Sequence, residues 1–581
     1  MRTTLIHALL ITIVISGLSA GAVEAQTTAR PPAAPLATGA GDQVRPLTID
    51  EAVRLALDNN LGIQIARFNP QVQDLSVALA RSAWVPSFTT VVQGASTSTP
   101  NSGFLSGATT GQNKTTTGRM LSNVGLLQQT PWGGSYSVGW DSTRSTTTNV
   151  FSNFSPQLQS SLSLDIRQPL LRNFSIDNLR LQVIQSEKDR DISDFELQQT
   201  IATTSRAVRN AYWDLAYANA SLAVQRQSLD LANESLRETN ARIQIGTTPP
   251  IDAVEAQAEV AARQQAVIVA EAQIDTAQDN LRALVFNQSA PDFWTTRIVP
   301  TELPAFAPTT VDVDGAVRNA LQMRTDLLQA RKSLESADVN IKYFRNQTLP
   351  DVTATFDYGL TGLGGTPVAR VNNLGIPATV PAGIARSFGS VLGDLFANQY
   401  PSWTVGLNIS YPLGHSQQEA NLARAQLATT QAETQLKNAE LQVVTQVRNV
   451  ARQVVTSERL VDSTRAAREL AEQRLDAEQK KLAAGTSTNF LVFQAQRDLA
   501  QARNDELNTI LSYNRARTDF ETVQIAPVAG GNTPALATTS LVGGSATSGT
   551  AAAASTPATT TTAAGQTTAA TGAGGGTGRT Q

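Results

Sequence analysis

Residues 176–244 read IDNLRLQVIQSEKDRDISDFELQQTIATTSRAVRNAYWDLAYANASLAVQRQSLDLANESLRETNARIQ, without a proline or a glycine. Val208, Leu215, Leu222, Leu229, Leu236 and Ile243 recur every seventh residue, and Ala211, Ala218 and Ala232 stand three positions after three of them. A seven-residue apolar stripe sustained this long predicts a helix packed along its length against other helices. At about 1.5 Å rise per residue such a helix is a rod of roughly 100 Å. The stretch 417–484 repeats the pattern at an offset of 239, with Val447, Val454, Val461, Leu475 and Leu482 on the stripe and Arg468 as its single exception.

Composition narrows the chemistry. The 581 residues carry a formal net charge of −3 and no clustered basic stretch, so nucleic acid is not an expected partner. With no cysteine there are no disulfides, thiolate metal sites, thiol catalysis or lipidated N-terminal cysteine. Only His7 and His415 supply imidazole, and His7 lies in the leader. No catalytic, metal or cofactor site is expected. Residues 1–25 read as a secretory signal peptide: Arg2, an apolar run Leu5–Leu18, and Val23-Glu24-Ala25 as a small-x-small cleavage pattern. No later stretch is apolar enough to cross a bilayer as a helix, so a membrane crossing falls to strands.

Residues 26–46 are a Pro/Ala/Gly linker expected to be disordered. Thr48 with Glu51 three residues later predicts a capping box opening a helix that carries Ala52, Val53, Leu55, Ala56 and Leu57. A second helix, about Leu61 to Ala83, stops before Pro86. Strands follow at about 87–168: Tyr136, Val138 and Trp140 alternate with small polar residues, as do Leu158, Leu162, Leu164 and Ile166. Ser/Thr/Asn/Gly-rich loops are expected over 96–118 and 142–157, with a tight turn at Pro131-Trp132-Gly133-Gly134 and strands near Leu121–Asp141 left open. A long helical hairpin spans 176–286, turning at Gly246 and returning with Val260, Val267, Ile274 and Leu281.

After a proline-rich linker, 291–310, the pattern restarts. Gly315–Leu321 matches Glu51–Leu57, and Leu349-Pro350 matches Val85-Pro86, both at an offset of 264. Strands lie at about 351–412, with Val352, Ala354, Phe356 and Tyr358 on one face of the first and Trp403, Val405, Leu407, Ile409 and Tyr411 on one face of the second. A second long hairpin, 415–524, turns at Gly485, and residues 526–581 are an Ala/Thr/Gly tail expected to be disordered. The chain therefore divides into a first repeat, 47–290, and a second, 311–525.

Strands with one apolar and one small-polar face suit a barrel with lipid outside and water inside, because open edges are not tolerated in lipid. Two clear strands per half cannot close a useful barrel, so several chains must share one. The fold class is an α+β membrane protein: long antiparallel coiled-coil hairpins forming an α-barrel, plus transmembrane β-barrel strands. Trp84, Trp132, Tyr136, Trp140, Tyr400, Trp403 and Tyr411 fit interfacial aromatic belts or scattered strand aromatics.

The chain resembles the TolC family of outer-membrane efflux proteins over about residues 47–525. The openings 47–57 and 311–321, Val85-Pro86 and Leu349-Pro350, Gln168-Pro169-Leu170 and Tyr411-Pro412-Leu413, and the turns Ile245-Gly246-Thr247 and Ala484-Gly485-Thr486 carry the resemblance. It implies a homotrimer with a twelve-stranded barrel in the outer membrane over a periplasmic helical tunnel. It also implies a passive exit duct fed by an inner-membrane efflux pump or ABC exporter through a periplasmic adaptor (membrane fusion) protein. The adaptor would dock on the hairpin tips, Gly246, Thr247, Gly485 and Thr486.

Two departures concern the mouth. Relatives commonly carry acidic residues just after the second turn, where this chain has Leu491 and Gln494; Asp252 and Glu255 occupy the matching first-half positions. A gate-latch aromatic of some relatives is Leu482 here. These five residues are the mouth candidates, although Asp252 and Glu255 also suit the first turn of any helix. His415 is expected to open the second rod without chemistry, and Arg468 either faces water or meets a carboxylate. The competing reading is a secreted coiled-coil filament protein of flagellin type; the duplication and the signal sequence argue against it.

Overall fold

Long alanine- and leucine-rich stripes become helices, and the alternating segments between them become one sheet. The computed structural model describes residues 44–102, 107–108, 112–287, 293–294, 296–302, 306–368 and 385–528. Two units divide the chain, Met1–Ala535 and Leu536–Gln581, and every described residue belongs to the first. The expected signal peptide 1–25, the linker 26–46 up to residue 43, and the tail from residue 529 lie outside the described residues.

In chain order the first half comprises β1 (Val44–Leu47), α1 (Ile49–Asn59), α2 (Leu61–Ser82), β2 (Ser87–Pro100), β3 (Lys114–Gln129), β4 (Ser135–Thr147), β5 (Phe154–Pro169), α3 (Asn178–Gln244) and α4 (Ile251–Val285). The second half follows with β6 (Arg297–Pro300), α5 (Val313–Met323), α6 (Thr325–Gln347), β7 (Asp351–Pro367), α7 (Phe388–Phe396), β8 (Pro401–Ser410), α8 (Gln417–Ala483) and α9 (Asn489–Thr522). The rods α3 and α8 are each 67 residues long. Thr48 accepts the Glu51 N–H at 3.2 Å, but the Glu51 carboxylate turns to Arg45, 3.5 Å away, so the expected capping box is half formed. Asn60 caps α2 by accepting the Ile63 N–H and donates to the Leu284 carbonyl at 3.2 Å, pinning the α1–α2 corner to α4.

The predicted stripes are the core. Val208 and Leu215 are fully buried, with Ala211, Ala218 and Ala232 beside them; towards the turn Leu229, Leu236 and Ile243 are only half-buried while Ala232 and Thr239 stay inside. A straight helix drifts relative to a seven-residue repeat, which moves the buried line from one stripe to the next. Polar pairs lock neighbouring helices in antiparallel register. Arg206–Asp519 (2.5 Å), Arg209–Glu521 (2.7 Å), Ser221–Asn504 (3.1 Å) and Arg503–Gln227 (2.6 Å) join α3 to α9, and Gln185–Asn340 (2.8 Å) and Lys188–Glu335 (2.6 Å) join α3 to α6. The short parallel pair β1–β6 is clamped by Tyr212, whose hydroxyl donates to the Leu47 carbonyl at 3.1 Å and accepts the Glu302 N–H at 3.1 Å.

The larger sheet has six antiparallel strands in the order β2-β3-β4-β5-β7-β8. Among the described residues the second half supplies the expected two strands to this sheet, while the first half supplies four rather than two, with β3 and β4 filling the stretch Leu121–Asp141, whose strands the sequence leaves open. The expected loops 96–118 and 142–157 shrink as well, because β2, β3, β4 and β5 run into them. Ser98 pairs with Thr116 at 3.0 Å and Thr117 with Thr147 at 3.2 Å across strands. Backbone ladders form whatever the side-chain polarity, and threonine fits a pleated surface, so these segments pair without an apolar period. The turn at 131–134 is tight as expected, with Gly133 at φ +86°.

Register places residues of one parity on a single face. The row Tyr358–Leu164–Val138–Leu126–Phe88 extends to Trp403, and the row Leu360–Leu162–Trp140–Val124 lies beside it. The opposite face carries Asp357, Asp165, Ser137, Gly139, Ser163 and Thr404 in the matching rows, with Leu127 beside Ser137 as an apolar exception. Among the aromatics read as belt candidates Trp132, Tyr400, Trp403 and Tyr411 are exposed, while Trp140 donates to Ser160 at 2.8 Å and Tyr136 to Gln128.

Candidate functional site: the helical hairpin tips

Each rod ends in the same turn. Gly246 adopts φ +78° and Gly485 φ +73°, the left-handed region that glycine enters without a Cβ penalty. At the first tip Gly246 N–H donates to Ile243 O at 3.0 Å and Thr247 N–H to Arg242 O at 3.0 Å. At the second, Gly485 N–H donates to Leu482 O at 3.1 Å and Thr486 N–H to Lys481 O at 2.9 Å. These are Schellman caps, with the threonine hydroxyls adding bonds to the same carbonyls. The return helices α4 and α9 have Pro250 and Thr488 as their N-cap residues, and neither makes a side-chain capping bond. A Cβ on either glycine would meet nothing within 4 Å, which leaves both turns open to a partner.

The two tips touch. Asn489 Nδ2 donates to Asp252 Oδ2 at 2.9 Å, and Gln496 donates to Ser235 at 3.0 Å. Arg497 reaches Glu259 at 3.3 Å, a carboxylate that also holds Arg263 at 2.6 Å. Between α3, α8 and α9 lies a cavity of about 310 Å³ whose wall includes Glu238, Arg242, Leu482, Asn489 and Phe493. Of the five mouth candidates, Asp252 gains a partner across the hairpins, and Leu482 packs on the buried cluster of Leu475, Val492, Ala495 and Leu499. Glu255 and Leu491 stand exposed, and Gln494 is half-buried.

Sequence reading missed Asn489, Glu259 and Glu478. Glu478 accepts from Ser487 at 2.7 Å and Lys481 at 2.8 Å; the Lys481 bond and then the Ser487 bond hold its carboxyl below the usual range. An acidic group thus marks the second tip from the outgoing rod rather than the return helix. Its i,i+3 spacing to Lys481 was the available signal.

Arg468 resolves towards carboxylates. Its guanidinium lies 2.6 Å from Glu506 and 3.0 Å from Glu472, and Arg503 meets Glu472 at 3.0 Å. Burial works against the charge on Arg468, but Glu506 and Glu472 outweigh it and the net shift is upward. His415 is exposed just before the capping box of Ser416 and Glu419 that opens α8.

Long paired rods, a sheet with one apolar face and open tips match known folds. The chain is similar to the Campylobacter jejuni CmeC outer membrane channel, with 14% identity over 82% of this chain and 85% of that one and a TM-score of 0.56. For the outer membrane protein VceC of Vibrio cholerae the values are 17%, 82%, 96% and 0.55. For the open state of the Neisseria gonorrhoeae MtrE outer membrane channel they are 16%, 82%, 89% and 0.53. No curated protein matches the chain. The flagellin-type filament reading finds no support in these comparisons. Residues 133–285 and 316–523 match the family described as outer membrane efflux protein, more than half of the sequence, and the chain belongs to that family.

Proposed function

We propose that three copies of this chain close one barrel in the bacterial outer membrane over a periplasmic tunnel of helices, forming a passive exit duct for efflux. The observation that carries this reading is the sheet. All six strands are at least ten residues long, enough to cross a bilayer, and one apolar face runs unbroken from β2 to β8. Its terminal strands β2 and β8 have no further neighbour among the described residues, and in lipid such edges must pair. Three six-stranded sheets make eighteen strands. The twelve strands implied by resemblance to the TolC family assume four per chain. An eighteen-stranded barrel has the width of an aqueous channel.

The helices favour the same closure. In the proposed duplication α6 is the counterpart of α2, and α6 packs on both α3 and α8. For α2 the large interface is with α3, and Ile65, Phe68, Val72, Leu75 and Leu79 form an exposed apolar stripe at coiled-coil spacing. The next copy's α8 would complete the ring. The first 25 residues serve export, a periplasmic adaptor protein docks on the tips at Gly246, Thr247, Gly485 and Thr486, and an inner-membrane pump or ABC exporter supplies the energy. Asp252, Leu482 and their neighbours form the closed mouth.

Native mass spectrometry of the detergent-extracted protein, paired with conductance in planar bilayers, tests the reading. A trimer with a small resting conductance is expected. A monomer, a dimer closing twelve strands, or a polymer without conductance would overturn it.

A further inference from the structure

The apolar face of the sheet runs out at one row. Next to Leu360–Leu162–Trp140–Val124 comes Gly362–Ser160–Ser142–Ser122, apolar again only at its β2 end in Val92, and one row further Gly364–Leu158–Arg144–Met120–Gly94 brings in an exposed guanidinium. The helix α7 lies on this margin and packs on β7 and β5. Glycine permits the approach: a Cβ on Gly362 would come within 2.3 Å of the Val391 carbonyl, and one on Gly364 within 2.5 Å of Val391 Cγ2. Ser160 beneath is fully buried and is held by Trp140. Tyr358, on the same face, donates to Asn398 just beyond α7 at 3.0 Å, which fixes the helix to the apolar side of the sheet.

The two faces of α7 differ. Val391, Asp394 and Leu395 are buried against the sheet, and Asp394 is neutralised by Arg386 at 2.7 Å. Phe388, Leu392 and Phe396, spaced by four, share the other face with Gly389 and Gly393; Phe396 is 77% exposed, Phe388 37%, and Leu392 between them is half-buried. No charged side chain stands on that face, and the exposed Ser390 at its edge pairs its hydroxyl with that of Ser387 at 3.3 Å. Water is a poor solvent for it, and it continues the apolar surface where the serine row interrupts it.

We propose that α7 is a lipid-contacting helix: Phe388, Leu392 and Phe396 enter the acyl region of the bilayer at the rim of the barrel, while Arg144 marks the adjoining headgroup level. A guanidinium on a lipid face is tolerated near the interface and costs much more at the midplane, which sets α7 at the boundary. This rests on the barrel reading above.

The absence of cysteine makes single nitroxide labels unambiguous. Leu392→Cys and Phe396→Cys are labelled in the full chain in phosphatidylcholine vesicles, with Val405→Cys on the apolar face of β8 and Thr247→Cys at a tip as lipid and water references. Oxygen-to-nickel-chelate collision ratios at 392 and 396 are expected to match Val405 and to exceed Thr247 severalfold. A water-like ratio at 396 with a lipid-like one at 405 would overturn the helix assignment and leave the barrel standing. Shielding of 396 from both reagents would mean a protein occupant, such as a second copy, and would also overturn it. A water-like ratio at 405 would remove the barrel reading and the proposal with it.

Discussion

Asp252 on α4 accepts a 2.9 Å hydrogen bond from Asn489 on α9, tying the tip of the first hairpin to that of the second. A charge-assisted bond at this site is worth about 1 kcal/mol, enough to bias a closed arrangement without locking it. Asp252→Ala and Asn489→Ala are each expected to raise resting conductance in planar bilayers. The double variant should add little to either, because both singles break the same bond.

Gly246 and Gly485 isolate backbone strain from sterics, since a side chain at either meets nothing. Forcing a β-branched residue into the left-handed region costs about 1–2 kcal/mol, so Gly246→Val and Gly485→Val should distort the Schellman turns. Export is expected to fall while membrane insertion persists, read by dye efflux and membrane fractionation. Asparagine, which tolerates this conformation, should retain more export than valine.

Arg468→Leu restores the apolar stripe yet leaves the half-buried Glu506 short of its closest cation. Loss of a charge-assisted bond at this depth should destabilise the α8–α9 pair by about 1–3 kcal/mol. A lower melting temperature by circular dichroism is the expected outcome. An unchanged one would mean that Arg465, 3.6 Å from Glu506, takes over.

Glu472 sets a pH dependence. The Arg503 bond, and then that of Arg468, hold its folded carboxyl below the ordinary 4.5. A depressed folded value contributes stability that is complete above 4.5 and is lost as pH falls through the folded value. Melting temperature should fall below that point, and Glu472→Gln should flatten the fall. Asp214 acts in the opposite sense: burial raises its carboxyl against the pull of Arg515, so its ionisation costs stability as pH rises above 3.8.

Gly362→Val should displace α7, because its Cβ would strike the Val391 carbonyl. Sheet pairing does not need that contact. A label at Phe396→Cys should gain mobility while trimer assembly is kept, as read by spin-label line shape and native mass.

The seven-residue stripes, the two 67-residue rods and their glycine turns were legible in the sequence, because helix periodicity and left-handed caps are local demands on residue type. The alternation at Tyr136–Trp140 and Trp403–Ile409 showed strands for the same reason. Strand number was not legible: the end of β2 runs Ser96-Thr97-Ser98-Thr99 before Pro100, where ladder bonds between backbones do the pairing and leave no apolar signature. Nor could periodicity place Asn489 against Asp252, or Arg468 between Glu472 and Glu506, since those contacts depend on how one helix is rotated against another. Helix α7 shows the division most plainly. FGSVLGDLF reads as an apolar helix anywhere, and only its seating on Gly362 and Gly364 decides that Phe388, Leu392 and Phe396 face outward. Local chain chemistry determined the elements; the rotation and docking of each against its neighbours, set by packing between residues far apart in sequence, decided which side chains became the site.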